Sequence, residues 1–259
     1  MLGVFDSGVG GLTVVKELRR LIPQTSIIYV GDTARAPYGG KDEQILFIYG
    51  REIIRFLLKK GAKAIVMACG TSSSVSLEPL RKEFPGLPII DTIRPAVKTT
   101  LLLAQQSHDF KPVFAATETT VKSGVFQKLF YEEEKNCKLY VRACPLFAPM
   151  VEAGLTKNNP LLNFAAENYF SDLRGKVNAL ILGCTHYPLL TDALTRTLGE
   201  IIFINPATAT AEATREILPP PPENSPAIIE YYTSGNPKNF AKIAQFILNE
   251  KCTAKKASF

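Results

Sequence analysis

Two cysteines stand where apolar runs end in small and hydroxyl-bearing residues. Cys69 follows the run "AIVMA" and precedes Gly70 and Thr71, whereas Cys184 follows "LILG" and precedes Thr185 and a histidine. Backbone N–H groups and hydroxyls at a strand-to-helix turn stabilise anions, and the thiolate is the reactive form of cysteine. The spacing therefore predicts two reactive thiols.

His186 lies two positions after Cys184, and the only other histidine, His108, stands in a polar segment expected at the surface. A histidine beside a thiol can lower the thiol pKa from its ordinary value of about 8.5. A Cys–His hydrolase is the rival hypothesis, but it leaves Cys69 without a role. No metal is expected, because the sequence has no Cys-x-x-Cys or His-x-x-His pair.

The elements that must position these residues alternate along the chain. Short apolar runs read as strands and are followed by stretches with helical periodicity, which predicts an α/β fold with mostly parallel sheets flanked by helices. The two cysteine turns are 115 residues apart (184 − 69). They suggest two similar units, each with a thiol at the carboxyl end of a strand, where ligands of such sheets bind.

Some local predictions are specific enough to be checked. Helices are expected near residues 121–131 and 187–198. The proline run from Pro219 predicts a stiff extended connector, and the basic tail 251–259 is expected to be frayed.

The stretch "DSGVGG" begins at Asp6 and joins the first predicted strand to the first helix. A dinucleotide-binding turn is one alternative, but its third glycine would fall on Thr13. We favour a small-anion site with the Ser7 hydroxyl and helix N–H groups as donors and Asp6 as an orienting acceptor. A plain capped turn is almost equally compatible with this motif.

Three further segments offer polar candidates without deciding between functional and structural roles. Tyr38 and Gly39 lie in a Gly- and Pro-containing loop and could line a pocket. Thr117 and Thr120 stand at a predicted helix start, where hydroxyls cap the helix or hold a ligand carboxylate. Glu152 is either a surface acid or a partner for the histidine.

Composition narrows the class of protein. The chain has 259 residues, is 46% apolar and carries a formal net charge of +6. Its basic residues are scattered, so nucleic acid is not the expected partner. No long uncharged apolar stretch or signal peptide is apparent, and the five cysteines are odd in number and irregularly spaced. We therefore expect free thiols in a cytoplasmic protein without a membrane span.

Taken together, the motifs resemble those of the glutamate racemases, cofactor-independent amino-acid racemases of bacterial wall synthesis within the aspartate/glutamate racemase superfamily. The resemblance spans nearly the whole chain and is carried by "FDSGVGGLTV", "YVGDTARAPYG", "ACGTSS", "ATETTVKSG", "CPLFAPMVEAG", "GCTHYPLL" and "YYTSG". It implies two α/β lobes, one from residues 1–93 plus 208–259 and one from residues 94–207, with the active site between them.

The resemblance also implies roles for residues. Cys69 and Cys184 would exchange protons with the two faces of the substrate α-carbon, with Asp6, His186 and Glu152 assisting. The substrate contacts would be Asp6, Ser7, Tyr38, Gly39, Gly70, Thr71, Thr117, Thr120, Thr185 and His186. No cofactor or metal is implied, and a homodimer is expected.

One position departs from the family pattern. The family usually has asparagine where this chain has Gly70, which leaves the site without a side-chain amide. A Gly70→Asn change is then expected to improve activity on glutamate if substrate holding is weakened. A related racemase or decarboxylase acting on aspartate, a hydantoin or a substituted malonate stays open, as does a non-catalytic binding protein.

Overall fold

Two all-parallel sheets organise the chain, of which a computed structural model describes residues 1–156, 159–219 and 227–259. The strands in chain order are β1 (Leu2–Asp6), β2 (Ile27–Gly31), β3 (Ala64–Met67), β4 (Ile89–Ile90), β5 (Pro112–Ala116), β6 (Tyr140–Ala143), β7 (Ala179–Leu182), β8 (Ile202–Ile204), β9 (Ile229–Thr233) and β10 (Ala254–Lys256). The larger sheet has the order β10-β9-β2-β1-β3-β4, and the smaller has the order β6-β5-β7-β8.

Helices flank both sheets. In chain order they are α1 (Leu12–Leu21), α2 (Glu43–Lys59), α3 (Gly70–Glu83), α4 (Ile93–Gln106), α5 (Glu118–Ser123), α6 (Val125–Glu133), α7 (Phe147–Glu152), α8 (Pro160–Phe170), α9 (Thr191–Leu198), α10 (Pro206–Ile217) and α11 (Pro237–Leu248). The predicted α/β class with parallel sheets and flanking helices is confirmed. No described helix is long and apolar enough to cross a membrane.

The central strand β1 shows why its sequence is continuously apolar. Successive side chains of a strand point to opposite faces. Leu2 and Val4 pack in a cluster with α1 and α11, whereas Phe5 packs in a second cluster with α2 and α3. Because helices cover both faces, both sets of side chains must be apolar.

The two sheets draw on different parts of the chain. Strands of the larger sheet come from residues 2–90 and 229–256, and those of the smaller sheet come from residues 112–204. The C-terminal strands return to the larger sheet because β9 pairs with β2 from Ile27 to Gly31. The expected lobe boundaries near residues 93 and 208 stay a prediction.

The expectation of a frayed basic tail is wrong. Ala254–Lys256 form β10, which pairs in parallel with β9. Without β10, the strand β9 would present a row of unpaired backbone groups at the sheet edge. Ala257 is buried and its N–H donates to the Thr233 carbonyl at 2.8 Å, so the segment also contributes to the core.

Two predicted helices are each divided in the structure. The helix expected near 121–131 is split into α5 and α6 at Gly124, whose φ of 65° is the left-handed conformation that glycine tolerates. The helix expected near 187–198 begins as a 3₁₀ turn over Tyr187–Leu190, with Pro188 in its first turn, before α9 continues. The connector predicted from Pro219 lies almost wholly outside the described residues.

Candidate active site

The carboxyl ends of β3 and β7 bring Cys69 and Cys184 to one cavity between the two sheets. The cavity encloses about 210 Å³. Both cysteines are buried, Cys69 at 5% and Cys184 at 9% exposure, and neither forms a disulfide. Parallel strands of one sheet end at the same edge, so facing sheets can present one thiol from each side of a small ligand.

Most of the predicted site residues line this cavity. Those that do are Ser7, Tyr38, Gly39, Cys69, Gly70, Thr71, Thr117, Glu152, Cys184, Thr185 and His186. Asp6 and Thr120 lie behind the lining. Sequence reasoning missed Pro37, Glu118, Pro145, Ala148, Pro149 and Gly183. The small and apolar members of this set carry no chemical signature, although Pro145, Ala148 and Pro149 belong to the quoted "CPLFAPM" motif.

Cys69 is held in its protonated form by its surroundings. It is the N-cap residue of α3, and its thiol lies 3.7 Å from the Ser7 hydroxyl oxygen. The backbone N–H of Ser72 and the Ser7 hydroxyl favour the thiolate, but burial and the nearby Asp6 carboxylate outweigh them and raise the pKa of Cys69 to about 12. At neutral pH this group is therefore a proton donor.

Cys184 lies next to a buried histidine whose pKa is raised. The Cys184 sulfur is 3.7 Å from Nδ1 of His186, and Nε2 of His186 is 3.2 Å from a Glu152 carboxylate oxygen, although not aligned for a hydrogen bond. Burial alone would lower the pKa of His186, but contacts with Cys184 and Glu152 more than offset it and raise the pKa to about 10. An imidazolium beside a sulfur stabilises the thiolate.

Asp6 connects the first sheet to this histidine turn. Its carboxylate is fully buried, accepts a hydrogen bond from the Gly8 N–H at 2.9 Å and accepts one from the Thr185 hydroxyl at 3.3 Å. Burial raises the pKa of Asp6, whereas His186 and backbone N–H groups lower it. Asp6 thus contacts the Cys184 turn through the Thr185 hydroxyl, and its orienting role stays a prediction.

Three threonine hydroxyls form a cluster at the cavity, with Thr71 and Thr117 in the lining and Thr120 behind them. Thr71 and Thr117 are 2.8 Å apart between their hydroxyl oxygens, and Thr117 and Thr120 are 2.9 Å apart. Thr117 also accepts from the Thr120 N–H, so it caps α5 while lining the cavity. The capping and ligand-facing readings of these threonines are therefore compatible.

The glycines of the first turn exclude the dinucleotide alternative. A Cβ at Gly10 would lie 2.4 Å from the Thr185 hydroxyl and 2.7 Å from the His186 ring. The space in front of this turn, where a pyrophosphate would bind in a dinucleotide fold, is filled by the Cys184 turn. The small-residue requirement here reflects close contact between the two halves of the molecule.

Gly70 has the same explanation. A Cβ at this position would lie 2.5 Å from the carbonyl oxygen of Gly183, a distance that real Cβ atoms essentially never show. Gly70 begins α3 and Gly183 follows β7. The two cysteine turns therefore meet here, with the backbone oxygen of Gly183 in the space that a side chain at position 70 would need. This contact argues against a gain from Gly70→Asn, because an asparagine would push the turns apart, and the effect on activity stays a prediction.

The arrangement is suited to moving protons at one small substrate. The pKa of one thiol is strongly raised, the other thiol lies beside a histidine whose pKa is also raised, and both thiols line the same cavity. A Cys–His hydrolase would use Cys184 and His186, but it would not need Cys69 on the cavity wall. Within the described ranges, no group of three or more His, Cys, Asp or Glu side chains is placed to hold a metal. The fold and the cavity define an α/β enzyme of proton transfer.

Comparison with known proteins agrees with this class. The family model for Asp/Glu/Hydantoin racemase matches residues 13–214. A curated glutamate racemase of Aquifex aeolicus is 36% identical over 254 residues, which cover 98% of this chain and 96% of that protein. The chain therefore belongs to the Asp/Glu/Hydantoin racemase family, and the resemblance found in its motifs is confirmed.

Solved structures show the same fold. A glutamate racemase isoform of Bacillus anthracis superposes with a TM-score of 0.92 at 31% identity, covering 100% of this chain and 97% of that one. A glutamate racemase of Francisella tularensis in complex with D-glutamate gives a TM-score of 0.88 at 28% identity, covering 99% and 97%. The predicted enzyme class, an amino-acid racemase, is confirmed by these matches.

Proposed function

We propose that this protein interconverts L-glutamate and D-glutamate by exchanging protons at the α-carbon between two thiols. The observation that carries the proposal is the placement of Cys69 and Cys184 on one cavity in different electrostatic settings. The glutamate racemases that the chain resembles support glutamate as the substrate. We assign residues 1–93 plus 208–259 to one lobe and residues 94–207 to the other, with the site between them.

The reaction starts with L-glutamate in the cavity. The Cys184 thiolate removes the α-proton, which breaks the C–H bond and leaves its electron pair delocalised into the α-carboxylate. The Cys69 thiol then donates its proton to the opposite face, which forms the new C–H bond of D-glutamate and leaves Cys69 as the thiolate. The reverse reaction exchanges the two roles, as general acid–base catalysis requires. No cofactor or metal takes part.

The remaining residues hold the substrate and the charges. The His186 imidazolium stabilises the Cys184 thiolate, the Glu152 carboxylate favours the charged imidazole through an ion pair at 3.2 Å, and Asp6 fixes the turn through Thr185. Hydroxyl and backbone donors on the cavity wall stabilise the charge that develops on the carboxylate. These donors come from Ser7, Tyr38, Gly39, Gly70, Thr71, Thr117 and Thr185, with Thr120 behind them.

Single cysteine substitutions test the two-thiol reaction. Cys69→Ala and Cys184→Ala should each abolish racemisation from both enantiomers, because each face of the substrate meets only one thiol. Circular dichroism of glutamate solutions measures the conversion. Cys137→Ala is the matched control, since Cys137 lies outside the cavity. Normal turnover in Cys69→Ala would contradict the mechanism.

Isotope incorporation tests the route of the proton. Starting from L-glutamate in D₂O, the first D-glutamate formed should carry deuterium at the α-carbon, because Cys69 delivers a solvent-derived proton. Recovered L-glutamate should stay unlabelled, provided that forward protonation outruns exchange at Cys184. Product without deuterium would indicate that one base removes and returns the same proton.

Substrate choice is tested by a panel of acids. Aspartate, a hydantoin and a substituted malonate are the alternatives, and the family model includes racemases of the first two kinds. Activity on one of them without activity on glutamate would overturn the substrate assignment. Binding without conversion of any compound would favour a non-catalytic protein.

The cellular setting is part of the proposal. A cytoplasmic homodimer that supplies D-glutamate for peptidoglycan is expected from the resemblance alone. Light scattering after size-exclusion chromatography measures the oligomeric state. A bacterial strain that requires D-glutamate for growth tests the supply role. Growth restored by the wild-type protein but not by the Cys69→Ala variant would support it.

A further inference from the structure

The loop between β2 and α2 supplies Pro37 and two further residues of the cavity and has no regular hydrogen-bond ladder of its own. Tyr38 and Gly39 of this loop line the cavity, and Tyr38 is 1% exposed. Connecting segments of this kind are mobile unless other contacts hold them. The position of Tyr38 therefore depends on what anchors the loop.

A buried carboxylate provides the first anchor. Asp32 is fully buried and accepts the Tyr38 hydroxyl at 2.5 Å, the Arg35 Nε at 2.7 Å and the Ser234 hydroxyl at 2.5 Å. A buried charge is tolerated only when it is paired and hydrogen-bonded. Arg35 is the one cation among these contacts, so the geometry around Tyr38 rests on how Arg35 is held.

Two aromatic rings and a second carboxylate hold Arg35. Its Nη1 contacts Glu52 at 2.5 Å, and its guanidinium carbon lies 3.9 Å from the ring centroid of Tyr49 and 4.8 Å from that of Phe259. A guanidinium over an aromatic face is attracted by the ring. Tyr49 belongs to the neighbouring helix α2, whereas Phe259 comes from the opposite end of the chain.

The segment after β10 carries Phe259 to this position. β10 pairs with β9, Ala257 is buried, and the Phe259 ring packs against Phe56 at a centroid distance of 5.8 Å. Lys256 also donates to the carbonyl oxygen of Ser234, the residue whose hydroxyl contacts Asp32. The segment thus contacts two of the residues that hydrogen-bond to Asp32: Arg35 through Phe259 and Ser234 through Lys256.

From these contacts we infer that the C-terminal segment 254–259 is a brace for the substrate-binding loop, and that Phe259 is a positioning residue for Tyr38. Phe259 holds the guanidinium of Arg35 on Asp32, and Asp32 in turn holds the Tyr38 hydroxyl. The inference rests on the proposed function for its kinetic consequence, since Tyr38 is there assigned to substrate binding. Phe259 itself does not touch the cavity.

The kinetic test compares two variants of Phe259 with a control variant at another exposed phenylalanine. Phe259→Ala should raise the KM for glutamate about two- to fivefold, the size of one exposed cation–π contact, with kcat changed less than twofold. Phe259→Tyr keeps the ring and should restore the wild-type KM. Phe246→Ala, a similarly exposed phenylalanine on α11, should leave KM unchanged. A drop in kcat without a rise in KM would overturn the inference.

A structural readout separates this inference from the proposed function. Amide hydrogen exchange of peptides covering residues 33–41 should accelerate in Phe259→Ala and not in Phe246→Ala. This measurement is made on the substrate-free protein, so it decides on the brace even if the wild type fails to racemise glutamate. Unchanged exchange in Phe259→Ala would refute the brace, and equal acceleration in both variants would reduce it to general loosening.

A double-mutant cycle tests the proposed link to Arg35. Arg35→Lys keeps the positive charge next to Asp32 but removes the planar face that stacks on rings. If Phe259 acts through Arg35, the Phe259→Ala substitution should have a much smaller effect in the Arg35→Lys background than in the wild type. This holds both for KM and for the amide hydrogen exchange of residues 33–41. Fully additive effects would contradict this path.

Discussion

Gly70→Ala is the change for which the structure gives the most decisive prediction. Gly70 starts α3 with an ordinary helical conformation, so a methyl group meets no backbone restriction there. Glycine-to-alanine changes at such sites usually stabilise a protein by about 0.4–1 kcal/mol. The contact with Gly183 predicts the opposite sign, which makes the experiment informative.

The magnitude follows from the distance. The added Cβ would lie 2.5 Å from the Gly183 oxygen, whereas ordinary contact begins at 3.4 Å, so the two cysteine turns must separate by about 0.9 Å (3.4 − 2.5). A displacement of about 1 Å between reacting groups can cost about 100-fold in rate. We expect kcat/KM for glutamate to fall about 10- to 100-fold, equivalent to about 1.4–2.8 kcal/mol of transition-state stabilisation. Gly70→Asn should lose at least as much.

Racemisation followed by circular dichroism, together with thermal unfolding, provides the assay. Gly50→Ala is the matched control, because the added Cβ would meet only the flexible end of the Leu80 side chain, at 2.8 Å. This contact lies between α2 and α3, and Gly50 does not line the cavity. Gly50→Ala should lower Tm without a comparable loss of kcat/KM. A Gly70→Ala variant that is more stable than the wild type and fully active would refute the reasoning.

The remaining predictions concern charge. Because the pKa of His186 is raised from 6.5 to about 10 in the folded protein, its contribution to stability is complete below pH 6.5 and is lost as pH rises through about 10. Between pH 6.5 and 9, urea unfolding should show stability falling more steeply in the wild type than in His186→Gln; equal slopes would contradict the assignment. Asp6→Asn removes a carboxylate that raises the pKa of His186, so the alkaline limb of kcat/KM should move to lower pH. Glu152→Gln should shift it in the same direction, and an unmoved limb in both variants would exclude His186 as the titrating group.

Pattern and chemistry predict much of this molecule from its sequence. Alternating apolar runs suffice for the parallel sheets, because strands covered on both faces must be continuously apolar. The two cysteine turns are recognisable because an apolar strand ending in a thiol and hydroxyls has no purely structural reason. Short helices are harder to predict from the sequence. Helix α7 spans only Phe147–Glu152 and contains a proline, so it is too short to show a helical periodicity of apolar residues.

What the sequence could not provide is contact between distant segments. From the sequence alone, the missing side chain at Gly70 looks like a lost substrate contact. The structure instead places Gly183, 113 residues further along the chain (183 − 70), directly against this position. The tail likewise looks frayed because its lysines and polar residues carry no strand pattern. Its pairing is decided by the free edge of β9, which belongs to the tertiary structure.

The close glycine contacts and the burial of the thiols have a common consequence for the chemistry. Gly10 in the turn after β1 and Gly70 in the Cys69 turn both let the Cys184 turn approach, until Thr185 and the Gly183 carbonyl fill the space where side chains would lie. This closeness buries Cys69, and burial is the largest cause of its raised pKa. The helix N-terminus at Cys69 works in the other direction, but its effect is confined to one or two N–H groups. Tight contact between the lobes therefore shapes the cavity and raises the pKa of one of its two thiols. A change that opens the cleft should lower that pKa as well as alter the geometry.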